Sequence, residues 1–464
     1  MSRKDSLSQR NQSSEYKRFI NKFPSSIRLY NEAIKHLPAG VGSTSRARWS
    51  GWEPYPIYVH HGHGAHIVDV DGNDFIDYLL GLGPMLLGHC PQIVTESVVN
   101  QIQNCGTVFA LGSEIEIDAA KRICDTIPSV DKVRFLNSGT EAVMYSVRLA
   151  RAFSGRNKII RFEGMYHGFS DSVYWSKHPS KNSIDAMGNC IPEPQGPGLP
   201  KGVDDSLLIC QWNDPDALAK MVENNYNDIA AIITEPVMCN TGCILPEPGY
   251  LETLRELCDK YHIVLIFDEV ITGFRIGITG AQGYYHISPD ISVFAKGLGG
   301  GYPVAALGGK QSIMELVDSG KVSISGTYSG NGIALSAVSA TIDYLSNPKV
   351  YEKLNHNTAM LKEGLSYLWN KTRIKTQIVG AGAFFQIWFS DHPIHNYREA
   401  VKYSNEHIFR MWWEEMLFQG VLFHPHHFEN LFVSTAHTSD DIEKTLDKAE
   451  RAIAAVEKRM EQSL

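Results

Sequence analysis

The chain has 464 residues, 43% of them apolar and 20% charged, so it is long enough for two or three domains with large cores. Its formal net charge of −8 argues against a nucleic acid or an anionic membrane surface as the main partner. No run approaches the roughly 18 apolar residues of a membrane helix, and the first 35 residues lack the apolar stretch of a signal peptide.

The N-terminal part combines a polar leader with a predicted hairpin. Residues 1–28 are polar and mixed in charge, and we expect them to be mobile. The segment AHIVDVDGNDFIDYLLGLG (65–83) predicts two short strands joined by a turn at Asp71 and Gly72.

From about residue 96 to 335, short apolar runs alternate with helical stretches. Continuous apolar strands separated by helices indicate a parallel sheet covered on both faces. Ligands of such sheets bind beyond the carboxyl ends of the strands, so the residue after each run is a candidate site residue. The runs are KVRFL (132–136), NKIIRF (157–162), DIAAIIT (228–234), HIVLIF (262–267) and DISVFA (290–295).

The last 125 or so residues mix helices and strands. In SDDIEKTLDKAERAIAAVEKRM (439–460), apolar residues recur at steps of four and three after a Ser/Asp cap. This pattern predicts an amphipathic helix.

Two of the apolar runs end in small polar turns. Ser138, Gly139 and Thr140 open a predicted helix, where free N–H groups and the helix dipole suit an anion such as phosphate. A plain helix cap is the alternative. Glu235 follows the run DIAAIIT, and a structural salt bridge is its alternative role.

Aromatic and acidic residues follow two other runs. Tyr166 and His167 are either ordinary residues of the sheet edge or a flat face that stacks on an aromatic ligand. Asp268 ends a run of apolar residues, where a carboxylate must be paired or functional. A structural salt bridge is again the alternative.

The fifth run leads into a single lysine followed by glycines. In VFAKGLGGGYPVAALGG (293–309), Lys296 ends an apolar stretch, a place where lysine is rare unless it is paired or functional. Glycines at 297 and 299–301 suggest close backbone approach, which we expect to be packing against a bulky cofactor. A strand that ends in a solvent-facing turn is the alternative.

One cofactor uses all of these groups. Pyridoxal phosphate (PLP) needs a lysine for its Schiff base, a carboxylate at its pyridine nitrogen, a phosphate-binding turn and an aromatic lid. The carboxylate keeps the ring nitrogen protonated, so the ring accepts the electrons left when a substrate Cα proton is removed. The lysine must lose its proton to attack, and burial lowers its pKa. The pattern favours a PLP enzyme.

Six motifs occur in the order of one family: NSGTEA (137–142), YHG (166–168), TEP (234–236), FDEVITGFR (267–275), AKGLGGGYPVAALGG (295–309) and GTYSGN (326–331). In these the chain resembles the class III PLP aminotransferases, in particular the branch containing glutamate-1-semialdehyde aminomutase, over roughly residues 30–457. The resemblance implies a fold-type I α/β enzyme whose large domain (96–335) has a mostly parallel seven-stranded sheet between helices. Residues 29–95 and 336–464 would form a smaller α+β domain. It also implies a homodimer with shared active sites.

The matching positions imply roles for individual residues. Lys296 resembles the Schiff-base lysine and Asp268 the partner of the pyridine nitrogen. Thr327 resembles a threonine that reaches the phosphate of the neighbouring subunit. The remaining cofactor-binding candidates are the phosphate turn Ser138, Gly139 and Thr140, the stacking ring of Tyr166, and Glu235.

Two further segments resemble substrate-binding parts of the aminomutase branch. PAGVGSTSRARW (38–49) places Ser43 and Arg46 in the substrate pocket, since an arginine fork suits a carboxylate. Arg48 competes with Arg46 in register, and a surface loop is the alternative. Glu429 in HHFENLFVSTAHT (426–438) matches a glutamate that pairs with this arginine, or else is a surface carboxylate.

Histidines and cysteines raise the question of a metal. His60, His61, His63 and His66 lie along the predicted hairpin, and His424, His426 and His427 lie near the C-terminal turn. Because no carboxylate or cysteine spacing supports a site, we expect no metal. Eight scattered cysteines suggest reduced thiols and a cytoplasmic protein.

Departures from the aminomutase pattern guide the functional expectation. Leu82 in GLGPM stands where the aminomutase carries an indole, and residues 170–198 replace its glycine-rich lid with a longer segment carrying Lys177, His178 and Lys181. A differently lined pocket fits transfer between a separate donor, such as glutamate, and a carbonyl acceptor. We therefore expect an aminotransferase, with glutamate-1-semialdehyde aminomutase second and a non-catalytic relative as a remote alternative. The acceptor and the pathway stay open.

Overall fold

The computed structural model describes residues 14–462. Its helices are α1 (Ser14–Lys22), α2 (Pro24–Ala33), α3 (Gln92–Asn100), α4 (Glu114–Thr126), α5 (Gly139–Ser154), α6 (Pro215–Asn225), α7 (Tyr250–Tyr261), α8 (Gly280–Tyr285), α9 (Gln311–Asp318), α10 (Gly332–Leu345), α11 (Pro348–Asn370), α12 (Tyr397–Tyr403), α13 (Glu406–Phe418) and α14 (Ser439–Glu461).

The strands form three sheets. The largest contains β4 (Lys132–Leu136), β5 (Lys158–Phe162), β6 (Leu207–Cys210), β7 (Ile229–Thr234), β8 (Val264–Asp268), β9 (Ile291–Phe294) and β10 (Ala305–Gly309). A second contains β1 (Val59–His63), β2 (His66–Asp69), β3 (Asp74–Asp77) and β13 (Val421–Leu422). A third contains β11 (Gln377–Ala381), β12 (Phe384–Trp388) and β14 (Leu431–Phe432).

The large sheet has the strand order β4-β10-β9-β8-β7-β5-β6. Parallel pairing joins β9, β8, β7, β5 and β6, while β10 runs antiparallel to both of its neighbours. Strands β7 and β8 are buried along their whole length, as continuous apolar strands between two helix layers must be. The predicted seven-stranded, mostly parallel sheet is confirmed.

All five predicted runs form strands of this sheet, and two further strands come from sequences with weak signals. Strand β10 reads AALGG, and alanine and glycine have low strand propensity. Its small residues are needed because a Cβ on Gly308 would lie 2.6 Å from the side chain of Val130. Strand β6 has four residues at the edge of the sheet.

The two ends of the chain meet in the second sheet. The predicted hairpin forms β2 and β3 across Asp71 and Gly72, and β13 pairs with β3 in parallel. The predicted C-terminal amphipathic helix is α14, which Thr438 caps together with Asp441. Most of its apolar stripe is buried, so the helix packs as the spacing predicts.

The predicted mobile leader of residues 1–28 differs from the structure where it is described. Residues 1–13 lie outside the described residues. From residue 14 onward the chain forms α1 and the start of α2, and the side chains of Phe19 and Phe23 are buried. The two rings are in contact, with centroids 4.6 Å apart. Two aromatic residues in a polar stretch thus anchor this part. Between residues 14 and 462, no helix combines the length and the apolar character needed to cross a membrane.

Candidate active site

A cavity of about 190 Å³ opens at the carboxyl ends of the parallel strands. One lining residue follows or ends each of five strands: Ser138 after β4, Tyr166 after β5, Glu235 after β7, Asp268 at the end of β8, and Lys296 after β9. We call these five residues the rim. Gly139, Thr140 and His167 line the same cavity. The fold thus brings together the residues that were predicted separately from the end of each strand.

The turn after β4 forms a reciprocal cap at the start of α5. The Ser138 Oγ accepts a hydrogen bond from the Glu141 backbone, and the Glu141 carboxylate accepts from the Ser138 backbone at 3.2 Å. Among the described residues, the backbone N–H groups of Gly139 and Thr140 have no hydrogen-bond partner. Free N–H groups in the first turn of a helix suit an anion.

Asp268 is paired with a histidine inside the cavity. Its Oδ2 lies 2.8 Å from the His167 Nδ1, and its Oδ1 accepts a hydrogen bond from the Val270 backbone at 3.1 Å. The histidine is buried, and its Nε2 has no partner among the described residues. The contacts with His167 and the Val270 N–H fix the orientation of the Asp268 carboxylate. Asp268 is therefore a firmly oriented carboxyl group that lines the cavity.

The neighbouring Glu269 has a different task. Its carboxylate accepts hydrogen bonds from the Thr272 hydroxyl at 2.7 Å and from the backbones of Ala281 and Gln282 at 2.7 and 3.0 Å. Burial raises its pKa above the usual value. Glu269 thus holds the start of α8, and Asp268 is the acid of this pair that lines the cavity.

Lys296 has left-handed backbone geometry, with φ at +46°, in a short 3-10 turn over Lys296–Gly299. Such a conformation strains a residue other than glycine and occurs where surrounding structure enforces it. Burial lowers the pKa of Lys296, and nearby carboxylates, Glu429 foremost, oppose this only in part. Its ammonium group makes no hydrogen bond or ion pair with the residues that the structure describes. The amine is therefore biased toward its reactive neutral form.

Three of the glycines after Lys296, at positions 299–301, pack closely against this chain. A Cβ on Gly299 would lie 2.5 Å from Val304, and one on Gly300, where φ is +54°, would lie 2.7 Å from the Thr341 hydroxyl. Gly301 has φ at +104° and faces Met85. The glycines let the turn pack closely against this chain, and so they position Lys296 indirectly.

Glu235 organises two loops. One of its carboxylate oxygens accepts from the backbone of Tyr166 at 2.8 Å and from the side chain of Asn240 at 2.9 Å. The other accepts from the backbones of Cys239 and Asn240 at 2.7 and 3.2 Å. Burial raises its pKa above the usual value. Glu235 lines the cavity, but its lone pairs serve mainly to hold Tyr166 and the loop after β7 in place.

Glu429 follows a histidine-rich loop and is partly buried. Burial raises its pKa, but four basic side chains lower it by more, so the net shift is downward. In decreasing order of effect these are His424, Lys177, His426 and Lys296. Glu429 is thus a carboxylate in the electrostatic surroundings of Lys296.

The other predicted substrate and partner residues lie away from the cavity in this chain. Ser43 and Arg46 are exposed on or beside a short 3-10 turn over Thr44–Arg46, and Arg46 has no ion pair among the described residues. Thr327 is exposed and lines a separate small cleft with Phe109 and Leu111. Their predicted roles therefore stay predictions.

The segment 170–198, which we call the inserted segment, contains neither a helix nor a strand but is firmly held. The buried guanidinium of Arg161 donates to the carbonyls of Val173, Trp175 and Met165. Burial lowers the pKa of Arg161 to about 9. A fixed cation thus fastens the start of this segment to the turn that carries Tyr166.

A second arginine fastens the middle of the inserted segment. Arg398 on α12 donates to the buried carboxylate of Glu163 at 2.8 Å and to the carbonyls of Ser180 and Ser183 at 3.1 and 3.2 Å. The segment is therefore a preformed wall near the cavity.

The cavity fits the PLP expected from the sequence. The cavity offers free N–H groups at the start of α5 for a phosphate and the oriented carboxylate of Asp268 for a pyridine nitrogen. It also offers the amine of Lys296, whose pKa is lowered. Gly168 allows close approach of Tyr166 and its loop to the phosphate turn, because a Cβ there would lie 2.6 Å from the Thr140 hydroxyl. The unpartnered Nε2 of His167 is a further polar group that a ligand would satisfy.

Residues 49–453 match the family described as Aminotransferase class-III. The chain belongs to the class III aminotransferases. It is 42% identical over 423 residues to glutamate-1-semialdehyde 2,1-aminomutase 2 of Lachnoclostridium phytofermentans, an alignment that covers 91% of this chain and 97% of that protein. The resemblance drawn from the six motifs is confirmed.

Solved structures share the fold over almost the whole chain. An omega-transaminase from Sphaerobacter thermophilus has a TM-score of 0.88 at 30% identity, covering 93% of this chain and 98% of that one. A transaminase with PLP bound has a TM-score of 0.84 at 27% identity, covering 94% and 98%. Fold type I and the cofactor PLP, both expected from the sequence, are thereby confirmed.

Sequence reasoning missed several residues that shape the site. His167 appeared as a stacking candidate, whereas the structure pairs it with Asp268. Arg275, the last residue of FDEVITGFR, is buried and donates to the carbonyls of Gly83 and Val433. These bonds connect an N-terminal and a C-terminal segment to the loop after Asp268. Buried arginines next to predicted strands were the available signal, because a buried guanidinium must find carbonyl or carboxylate partners.

Proposed function

We propose that this PLP enzyme is a glutamate-1-semialdehyde 2,1-aminomutase, which moves an amino group within one five-carbon acid. The observation that carries the proposal is the 42% identity to such an aminomutase over nearly the full length of both chains. Glu429, close enough to Lys296 to influence its charge, is a supporting feature of the site. The sequence alone ranked this function second, behind intermolecular transfer.

Each residue of the site has a task in this reaction. PLP supplies, when bound, a carbonyl carbon that condenses with amines and a ring that accepts the electrons released at the substrate carbon. The N–H groups of Gly139 and Thr140 would hold its phosphate, and Asp268 would keep a proton on its ring nitrogen. Lys296 would hold the cofactor through its Nζ and would carry a proton to and from the substrate, for which its lowered pKa is suited.

An aminotransferase that uses separate donor and acceptor molecules is the second candidate. The inserted segment favours it, because the buried Arg161 and the partly buried Arg398 fix it as a wall near the cavity, whereas an aminomutase must hold its intermediate under a lid. In this case glutamate is the expected donor and a keto acid, an aldehyde or a sugar aldehyde the acceptor.

Supplying a single substrate distinguishes the two functions. We expect purified holoenzyme to convert glutamate-1-semialdehyde to 5-aminolevulinate without any added amine donor. If instead only a mixture of glutamate and a carbonyl acceptor is turned over, and the semialdehyde alone is not, the aminotransferase replaces the aminomutase. Recording the cofactor absorbance with glutamate alone gives an independent check, since only an efficient donor converts the cofactor to its amine form.

We infer that the active form is a homodimer in the cytoplasm. Leu111 is 81% exposed, and Phe109 is also exposed; both line the small cleft that contains Thr327, and the exposed Tyr328 follows Thr327 in the chain. Exposed apolar side chains in one region are typical of an interface, and the resemblance assigns Thr327 to the partner's phosphate. The eight cysteines are free thiols in the structure, as a reducing compartment allows.

Mixing two inactive variants tests the shared site. Lys296→Ala and Thr327→Ala subunits, denatured and refolded together, should regain part of the activity, because one site of each mixed dimer then carries both native residues. Sedimentation that finds a fully active monomer at assay concentration would contradict the dimer.

A further inference from the structure

A run of four residues with left-handed backbone geometry lies beside the side chain of Lys296. From Leu80 to Gly83, φ is +46°, +65°, +70° and +106°, and we call this stretch the left-handed turn. Two of the four residues are leucines, for which such geometry is strained. A Cβ on Gly83 would lie 3.6 Å from the Lys296 Cδ and 3.4 Å from the ring of Phe432. The end of the turn is therefore packed against the aliphatic part of Lys296.

Two charged side chains hold the ends of the left-handed turn. At its start, the Asp77 carboxylate accepts hydrogen bonds from the backbones of Leu79 and Leu80 at 2.8 and 3.0 Å. At its end, the guanidinium of Arg275 donates to the carbonyl of Gly83. Because a strained turn persists only where its surroundings enforce it, these two side chains set its position.

The guanidinium of Arg275 also holds the third sheet. It donates to the carbonyl of Val433, just after β14, at 3.1 Å, and its carbon lies 4.8 Å from the ring centroid of Phe432. Within residues 14–462 it forms no ion pair, so this buried cation depends on carbonyls and on an aromatic face. Arg275 thus fixes both the backbone of Gly83 and the Phe432 ring that packs on it.

The backbone that follows Lys296 meets the same two segments. A Cβ on Gly297 would lie 3.5 Å from the carbonyl oxygen of Gly273 and 3.5 Å from the side chain of Leu86. Gly273 belongs to the loop that carries Arg275, and Leu86 follows the left-handed turn. Since φ of Lys296 is itself left-handed, packing and not intrinsic preference sets the direction of its side chain.

We propose that Arg275 is a positioning residue, which acts through the left-handed turn to hold the Lys296 side chain where its amine can reach the cofactor. Arg275 lies outside the wall of the cavity, so it acts through Lys296 and not on the substrate. The inference rests on the proposed role of Lys296 as the lysine that holds PLP. It is the same for an aminomutase and for an aminotransferase.

The attachment of PLP to full-length protein from which the cofactor has been removed tests the inference. Absorbance gives the rate, and borohydride reduction with peptide mapping shows whether the lysine is Lys296. Arg275→Met should slow attachment about tenfold, because the amine is no longer held in a productive position. Arg275→Lys keeps a charge but lacks the planar fork that reaches two carbonyls, so it should slow attachment about threefold.

Two controls separate positioning from general damage to the cavity. Pyridoxamine phosphate has the ring and the phosphate of the cofactor but no aldehyde to react with a lysine, so Arg275→Met should bind it as tightly as wild type does. Arg156→Met is the matched variant. Arg156 also donates to backbone carbonyls, those of Ile229 and Tyr261, but at the amino-terminal edge of the strands, opposite the cavity. This variant should attach PLP at the wild-type rate.

The outcomes distinguish this inference from the role of Lys296. Slower attachment in Arg275→Met with unchanged affinity for pyridoxamine phosphate supports it. An unchanged rate, with the label on Lys296, overturns the inference alone, whereas a label on another lysine overturns both. An equal loss of attachment rate and pyridoxamine phosphate affinity also overturns it, since Arg275 would then support the whole cavity. If Arg275→Met does not fold, Arg275→Lys decides, and a wild-type rate in that variant overturns the inference.

Discussion

The rim lines the cavity and the inserted segment contacts the rim at Tyr166, but the two regions are held in different ways. Rim residues follow buried strands, so the hydrogen bonds of the sheet set their positions. The inserted segment has neither helix nor strand, and the guanidinium groups of Arg161 and Arg398 bind its carbonyls instead. The position of the rim therefore depends on the fold as a whole, whereas the position of the inserted segment depends on a few charged side chains. We therefore expect that a change in the segment leaves the positions of the rim residues undisturbed.

The largest expected effect is loss of Lys296. Lys296→Ala should abolish turnover while the protein stays folded, because the side chain both anchors the cofactor and carries the proton. Borohydride reduction of the wild-type holoenzyme followed by peptide mapping should locate the cofactor on Lys296. A labelled peptide that contains another lysine would show that the rim has been misassigned. Circular dichroism of the variant controls for unfolding.

Asp268 should have the next largest effect. Asp268→Asn should retain the cofactor but lower kcat by about two decades, the equivalent of roughly 3 kcal/mol, since an uncharged partner no longer keeps the ring nitrogen protonated. His167→Gln removes the group that orients the carboxylate and should cost less. If Asp268→Asn leaves kcat unchanged, the partner of the ring nitrogen lies elsewhere.

The sequence predicted the rim better than the inserted segment, for a physical reason. A buried parallel strand is a local apolar pattern, and the residue after it lies at a known edge of the sheet, which located Lys296 and Asp268. Strand β10 was not predicted, because its alanines and glycines are required by residues that are close in space and not by a local strand pattern. The contacts of Lys177 could not be predicted for the same reason. The backbone before Lys177 is held by Arg161 and Glu193, which are distant in sequence. Long-range partners of backbone carbonyls leave no local pattern.

Breaking an anchor of the inserted segment should have a moderate effect. Arg398→Met leaves the buried Glu163 carboxylate without its ion pair, so we expect a loss of stability of about 2–3 kcal/mol in urea unfolding. The KM should rise several-fold while kcat changes little, because the segment and not the rim is released. Adding Glu163→Gln removes the unpaired charge and should restore part of the stability. A fall in kcat with unchanged KM would mean that the two regions are not separable.

The smallest effect concerns a histidine outside both regions. His66 lies between Asp74 and Asp441, with its ring nitrogens 2.9 and 3.0 Å from their carboxylate oxygens. Burial lowers the pKa of His66, but the hydrogen bonds to the two carboxylates raise it by more, so the net shift is upward.

A raised pKa in the folded state means that the bridge of His66 stabilises the protein at and below about pH 6.5, the value expected in the unfolded chain. The contribution is lost as the pH rises through the folded pKa. Because Asp74 is mostly exposed, we expect less than about 1 kcal/mol. The difference in urea midpoint between wild type and His66→Gln should therefore be larger at pH 6 than at pH 9. His63→Gln, at a ring stacked 5.6 Å away but without a carboxylate partner among the described residues, should show no such dependence. An equal difference at both pH values would mean that His66 contributes through packing and not through its charge.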